Sequence, residues 1–131
     1  MGTARQEHRF EFPAAAIAQA AEAEASYHEI RASWWTAEYG MAVEKVRATA
    51  FVEIREYEVT GGKRADVVVN YGDPAAYKRM GEAFQKWEEH RLAAERYRTD
   101  ARLYRTQAGR VYELDTDDVH YFRLGGEARP E

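Results

Sequence analysis

The sequence predicts a mainly α protein, built as a long antiparallel helical hairpin with a small C-terminal appendage. Two helix-spaced runs and the turn between them predict it. From Pro13 to Val59, Ile17, Ala21, Ala25, His28, Ala32, Trp35, Tyr39, Ala42, Val46, Ala50, Ile54 and Tyr57 recur mostly at steps of three and four. That spacing draws one narrow apolar seam along a helix. From Pro74 to Gln107 a second run carries Tyr77, Met80, Phe84 and Trp87, then His90, Ala94, Tyr97, Ala101 and Tyr104. Between the runs, residues 60–73 hold Gly61, Gly62 and Gly72, which suit a helix stop followed by a loop.

In chain order, residues 1–12 form a lead-in, with 1–7 polar and His8–Phe12 alternating weakly like a short strand. Pro13 fits a first helical turn, where its missing N–H costs nothing. The first run is several times the mean helix length of about 11–12 residues. Runs that long suggest a coiled coil, a membrane span or a helical repeat. Glu22, Glu24, Glu29, Arg31 and Glu38 interrupt every window of the ~20 apolar residues a span needs. Gly40 lies off the seam and weakens the helix locally. Lys63–Tyr71 contains the β-favouring Val67-Val68-Val69. Asp73-Pro74 reads as an N-cap and a first-turn proline. In the second helix, steps of three at 84–87 and 87–90 resemble a stammer, with the first face continued by Arg91, Arg98, Arg102 and Arg105. Gly109 ends it. Val111–Leu114 reads as a short strand, and the acids of Asp115–Asp118 start a short helix over Val119–Leu124.

A second architecture competes. Splitting the first helix near Lys45 makes Arg47–Thr60 a strand, with Gly61-Gly62 as a hairpin turn. The order becomes βαββαβ, an α+β ferredoxin-like plan with long helices. As a strand, neither face of residues 47–60 is clean, because Glu56 and Glu58 fall behind Ala50, Val52 and Ile54. As a helix, Val46, Ala50, Ile54 and Tyr57 prolong the seam, which favours the hairpin of helices.

The 131 residues point to a single domain, and 45% hydrophobic with 13% aromatic content can fill a core. A formal net charge of −4 means that nucleic-acid contact needs a local basic stripe. With no cysteine, disulfides, thiolate catalysis and Cys-ligated zinc are excluded. No secretory signal is visible, so a cytoplasmic location is expected.

The candidates for chemistry are few. His28 lies in the seam one turn after Glu24, and a metal reading needs further ligands such as His90 and Glu89. The helical register sets His90 two turns or more from His28, and no Glu-x-x-His pair of the di-iron type occurs, so no metal is expected. Asp115, Asp117, Asp118 and His120 lack the glycine and distal glutamate of a calcium loop and read as helix-starting acids. Gly61-Gly62-Lys63-Arg64 lacks Walker spacing, and Ser26 and Ser33 sit in no nucleophile motif. No enzyme, cofactor or small-molecule substrate is expected. The strongest pattern is basic and aromatic: Arg91, Tyr97, Arg98, Arg102, Tyr104 and Arg105 interleave along one helix end. Arginine binds phosphate and aromatic rings stack on unpaired bases, which makes this stretch the candidate nucleic-acid surface. The bland alternative pairs these arginines with Glu22, Glu24 and Glu29. Trp34, Trp35 and Tyr39 supply more apolar area than one partner helix covers, so they are the candidate oligomer interface.

Phe51-Val52-Glu53-Ile54-Arg55-Glu56, Thr60-Gly61-Gly62-Lys63-Arg64, Asp73-Pro74 and the helix from Tyr77 to Tyr104 together resemble small helical early or accessory proteins of tailed bacteriophages. Some of these are similar to the T-even recombination mediator. The resemblance covers about residues 20–107; the segment after Gly109 and the density of tryptophan and tyrosine depart from it. It implies a host-cytoplasmic accessory protein that contacts single-stranded DNA or a DNA-processing protein, and it carries over no catalytic residue. The expected function is therefore a non-enzymatic, self-associating helical protein contacting single-stranded nucleic acid or a nucleoprotein. A protein-binding inhibitor module and a structural assembly subunit are the alternatives.

Overall fold

The computed structural model describes residues 8–126; the polar start at 1–7 lies outside them. The chain is mainly helical with two small antiparallel sheets. Its elements are β1 (Arg9–Pro13), α1 (Ala14–Thr49), β2 (Phe51–Val59), β3 (Gly62–Asn70), α2 (Pro74–Arg105), β4 (Val111–Asp115) and α3 (Thr116–Tyr121). β1 pairs with β4 and β2 with β3.

The first helix stops ten residues short of Val59, and Phe51–Val59 is a strand rather than the last helical turns. The element order is thus that of the competing plan, although its four strands make two separate pairs and not one sheet. The reason is local. Phe51, Val52, Ile54, Tyr57 and Val59 are β-branched or aromatic and fit a pleated strand. The opposite strand meets Val52 with Val69 and Ile54 with Val67, cross-strand pairs that hold a hairpin together. The match of Ala50 and Ile54 to the seam is a coincidence of spacing, since a step of four also satisfies alternation; Tyr57, three residues on, falls on the other strand face.

The described residues divide into two compact units. The first runs up to Ile30 and resumes at His90. Its core gathers Ile17, Ala21 and Ala25 of α1, Ala93, Tyr97 and Ala101 of α2, Leu114 of β4, and Phe122 just after α3. Alanine lets the helix backbones approach closely, and the aromatics fill what the alanines leave. β1 and β4 pair from Arg9↔Asp115 to Pro13↔Val111, and Ala14 N–H donates to the Arg110 carbonyl at 2.9 Å. Asp115 caps α3 by accepting from Asp118 N–H at 2.8 Å, as its acid-rich start predicts.

The second unit spans Arg31–Glu89. Its buried apolar residues are few: Trp35, Ala42, Ala76 and Ala83. Three segments meet at the base of its hairpin. The Thr49 hydroxyl donates to the Lys45 carbonyl at 2.9 Å and accepts from Asp73 N–H at 2.9 Å. Gly72 N–H donates to Asn70 Oδ1 at 2.7 Å, and Asp73 Oδ1 accepts from Ala75 N–H at 2.9 Å. The start of α2 is therefore tied to the end of α1 by side chains that cap both helices. At the hairpin tip, Thr60 and Gly61 are the loop between Val59 and Gly62, and Gly61 has φ +91°.

The packing face of α2 also differs from the expected one. Ala76, Ala83, His90, Tyr97 and, partly, Tyr104 lie inward at intervals of seven, with Ala94 and Ala101 between them. Tyr77 and Phe84 are half exposed. No stammer is needed. Two alanines carry the first half of the face, and the larger aromatics beside them flank it.

Candidate interaction surfaces

The basic and aromatic stretch of α2 lies in the first unit. Tyr97 is buried, donates its hydroxyl to the Tyr121 carbonyl at 2.7 Å, and stacks against the rings of His28 and Tyr121. Tyr104 is largely enclosed and meets Tyr112 and Phe122 edge-on. Burial raises the pKa of both phenols. Tyr121 is raised further by burial and by its hydrogen bond to Asp100 at 2.9 Å. These rings are core members.

The arginines point the other way. Arg98 Nε and Nη2 hold both oxygens of Glu29 at 2.8 and 3.1 Å. Arg105 holds Glu22 through the same fork at 3.0 and 2.9 Å. The Arg98 hydrogen bond holds Glu29 below the usual carboxylate range, and Arg105 does the same to Glu22. Arg91 bonds Glu95 at 3.0 Å one turn on, and Arg102 donates to the neutral Thr99 hydroxyl at 3.4 Å. A phosphate partner is required of these arginines only if they occupy a packing face. The alanine heptad removes that premise, because Tyr77, Phe84, Arg91, Arg98 and Arg105 form the row flanking the packed one. Internal carboxylates meet three of the four arginines, two of them on the first helix.

His28 and His90 meet, contrary to the expected register. Their Nδ1 atoms lie 2.8 Å apart. The expected register assumes a helix running to Val59; α1 ends at Thr49, and the strand Phe51–Val59 moves the turn at residues 60–73 out of the helix pair. One Nδ1 must carry a hydrogen and the other a lone pair, so the contact cannot survive with both rings protonated. Beneath them the buried Glu24 carboxylate lies 4.0 Å from His28 Nε2 and 3.5 Å from Arg123 Nε. Arg123 reaches it from a left-handed backbone, φ 55°. Among the described residues no group of three His, Cys, Asp or Glu side chains is arranged to hold a metal ion.

In the second unit the expected oligomer residues separate. Trp35 is buried, with the Arg79 guanidinium 4.8 Å above its ring. Arg79 is itself held by Glu38 at 3.3 Å. Trp34 is half exposed and packs edge-on against Trp35, with Arg31 4.8 Å above its ring. Tyr39 joins Thr36, Phe84 and Trp87 in lining an open, mostly apolar groove.

The surface that sequence reasoning missed is the β2–β3 hairpin. Every residue of β2 is exposed, and of β3 Val68 alone is even half-buried. Directly opposed residues share a face and neighbours alternate. One face therefore carries Val52, Val69, Ile54 and Val67 near the base, which are 67%, 47%, 65% and 63% exposed, and Glu56, Ala65, Glu58 and Lys63 toward the tip. Those values decide the reading, because an aliphatic patch of four residues on a strand face is normally covered. The other face carries Phe51, Tyr57 and Val59 among Glu53, Arg55, Asp66 and Arg64. Among the described residues no third strand joins the pair. The signal was present in the sequence as two β-favouring stretches around Thr60-Gly61-Gly62, but the helical seam outweighed it.

No family model matches the chain, and neither a curated protein nor a solved structure does. Among the described residues no helix is long and apolar enough to cross a membrane.

Proposed function

We propose that the chain is a non-enzymatic accessory protein that works by self-association, with the β2–β3 hairpin as its docking arm. The observation that supports this reading is that β2 is exposed from Phe51 to Val59 and, among the described residues, its outer edge pairs with no strand. An isolated two-stranded hairpin is marginal in water, and three or more strands or a packed face make it stable. Two nine-residue strands with open edges are also a template for another chain. The accessory role agrees with the phage class that the sequence resembles. In solution the protein is expected to sediment as a dimer or larger species at tens of micromolar. Phe51→Lys with Ile54→Lys should return it to a monomer while leaving the helical circular dichroism in place. A wild-type protein that stays monomeric at those concentrations would remove the reading.

Contact with single-stranded nucleic acid along α2 is a second reading. Its support is that the Arg98 and Arg105 side chains stay 38% and 50% exposed while paired. Exposed ion pairs are weak, so phosphate can compete for these cations. Tyr97 is buried and Tyr104 packs against the core, so neither ring has a part in it. Arg98→Ala with Arg102→Ala is expected to weaken oligonucleotide retention and to flatten its salt dependence by roughly 0.7 per lost phosphate contact. No retention of single-stranded DNA or RNA by wild-type protein in low salt ends this reading.

A further inference from the structure

We infer that the occupant of the arm is a second copy of this chain, joined edge to edge through β2 in antiparallel register with Ile54 on the two-fold axis. This rests on the self-association reading and adds the edge, the partner and the register to it. The sequence of β2 carries the inference. Counted outward from Ile54, one step meets Glu53 on one side and Arg55 on the other, and three steps meet Phe51 and Tyr57. A two-fold axis through Ile54 therefore sets Glu53 opposite the Arg55 of the second copy, and Arg55 opposite its Glu53. It also sets Phe51 opposite Tyr57, twice. Opposite charges and aromatic pairs are the combinations that stabilise directly opposed strand positions. Neighbouring registers lose this. An axis on Glu53, Arg55 or Glu56 places two like charges against each other at the centre.

Each of these side chains is available. Phe51 and Tyr57 are 48% and 40% exposed. Glu53 and Arg55 now bond each other across a single strand, at 3.2 Å and largely in solvent. An exposed pair of this kind is cheap to exchange for the same pairing between copies. The product is a four-stranded antiparallel sheet, β3–β2 followed by β2–β3 of the second copy. It passes the strand number at which a sheet becomes independently stable. An isologous contact of this kind closes after two copies, so it gives a dimer rather than a fibre.

The chain has no cysteine, which allows a direct test. Opposed residues of an antiparallel pair lie ~4.5–5.5 Å apart between Cα atoms, within the reach of a disulfide. Ile54→Cys should cross-link into a dimer under mild oxidation, and Val67→Cys on β3 should not. In sedimentation equilibrium, Glu53→Arg and Arg55→Glu should each weaken dimerisation about tenfold, because each puts two like-charged pairs across the axis. The double variant Glu53→Arg/Arg55→Glu should recover affinity to within about threefold of wild type. Val69→Lys should leave the dimer intact. If wild type dimerises but the reversals change nothing and Val69→Lys dissociates it, the copies pack face to face and this register is wrong. If Val67→Cys cross-links and Ile54→Cys does not, β3 is the joining edge. In both of those outcomes self-association stands. A strictly monomeric wild type removes both it and this inference.

Discussion

Phe122→Ala is expected to destabilise the first unit by about 3–5 kcal/mol, the range for truncating a buried aromatic. Phe122 is 5% exposed and sits in the cluster of Ile17, Ala21, Ala25, Ala93, Tyr97, Ala101 and Leu114. The alanines cannot rearrange to fill the gap, because they are already at the helix backbones. Tyr104 and Tyr121 lie edge-on to the Phe122 ring, with centroids 5.8 and 4.8 Å away. Both would lose that contact. Arg123 follows Phe122 directly, so its reach to the buried Glu24 carboxylate should loosen as well. Chemical denaturation with a fluorescence or circular-dichroism readout measures the change. A loss below 1 kcal/mol would mean that the segment after α3 is not part of the core.

Gly72→Ala is the second large effect, and it acts at the base of the arm. Gly72 has φ +93°, where a side chain costs about 1–3 kcal/mol in backbone strain alone. A Cβ there also meets Thr49 Oγ1 at 2.7 Å, the Val46 carbonyl oxygen at 2.9 Å and Ala50 N at 3.3 Å. Two of those three atoms are backbone and cannot swing away. Thr49 Oγ1 also accepts from Asp73 N–H, so moving it opens the tie between α1 and α2. The expected result is a total loss of several kcal/mol by denaturation, with overpacking adding ~1–3 kcal/mol to the strain. Faster amide exchange should appear first at Ala50 and Asp73. Thr49→Val, which removes the hydroxyl but keeps the shape, should reproduce the exchange at Asp73 without the backbone strain. An unchanged Gly72→Ala variant would contradict this geometry.

How much of this was legible in the sequence depended on which residues carried the signal. Asp73-Pro74 and the acids at Asp115–Asp118 mark helix starts by local chemistry, and both helices begin beside them. Val111–Leu114 and His8–Phe12 alternate as strands, and the two segments pair with each other. The α1 seam is real from Ile17 to Ala42, where Ile17, Ala21, Ala25, Trp35 and Ala42 are buried. Two features were hidden. The packing face of α2 is marked by Ala76 and Ala83, whose small apolar weight is outvoted by Tyr77 and Phe84 beside them. The strand at Phe51–Val59 was masked because Ile54 and Tyr57 satisfy helical steps as well as β-propensity, and residue spacing alone cannot rank the two. What separates them is a pairing partner 10–20 residues onward, Val67-Val68-Val69, together with a glycine at the turn. The meeting of His28 and His90 then followed from the shorter helix, not from any local pattern.

Concentration-dependent amide hydrogen exchange tests the central claim, that the β2–β3 arm is completed by a second copy. An edge strand left in solvent exchanges its outward amides quickly, and a paired one does not. Association should therefore slow exchange along Phe51–Val59 as protein concentration rises from low to high micromolar, while the amides around Ile17 and Ala101 keep their rates. Exchange along Phe51–Val59 that is the same at every concentration would contradict the account.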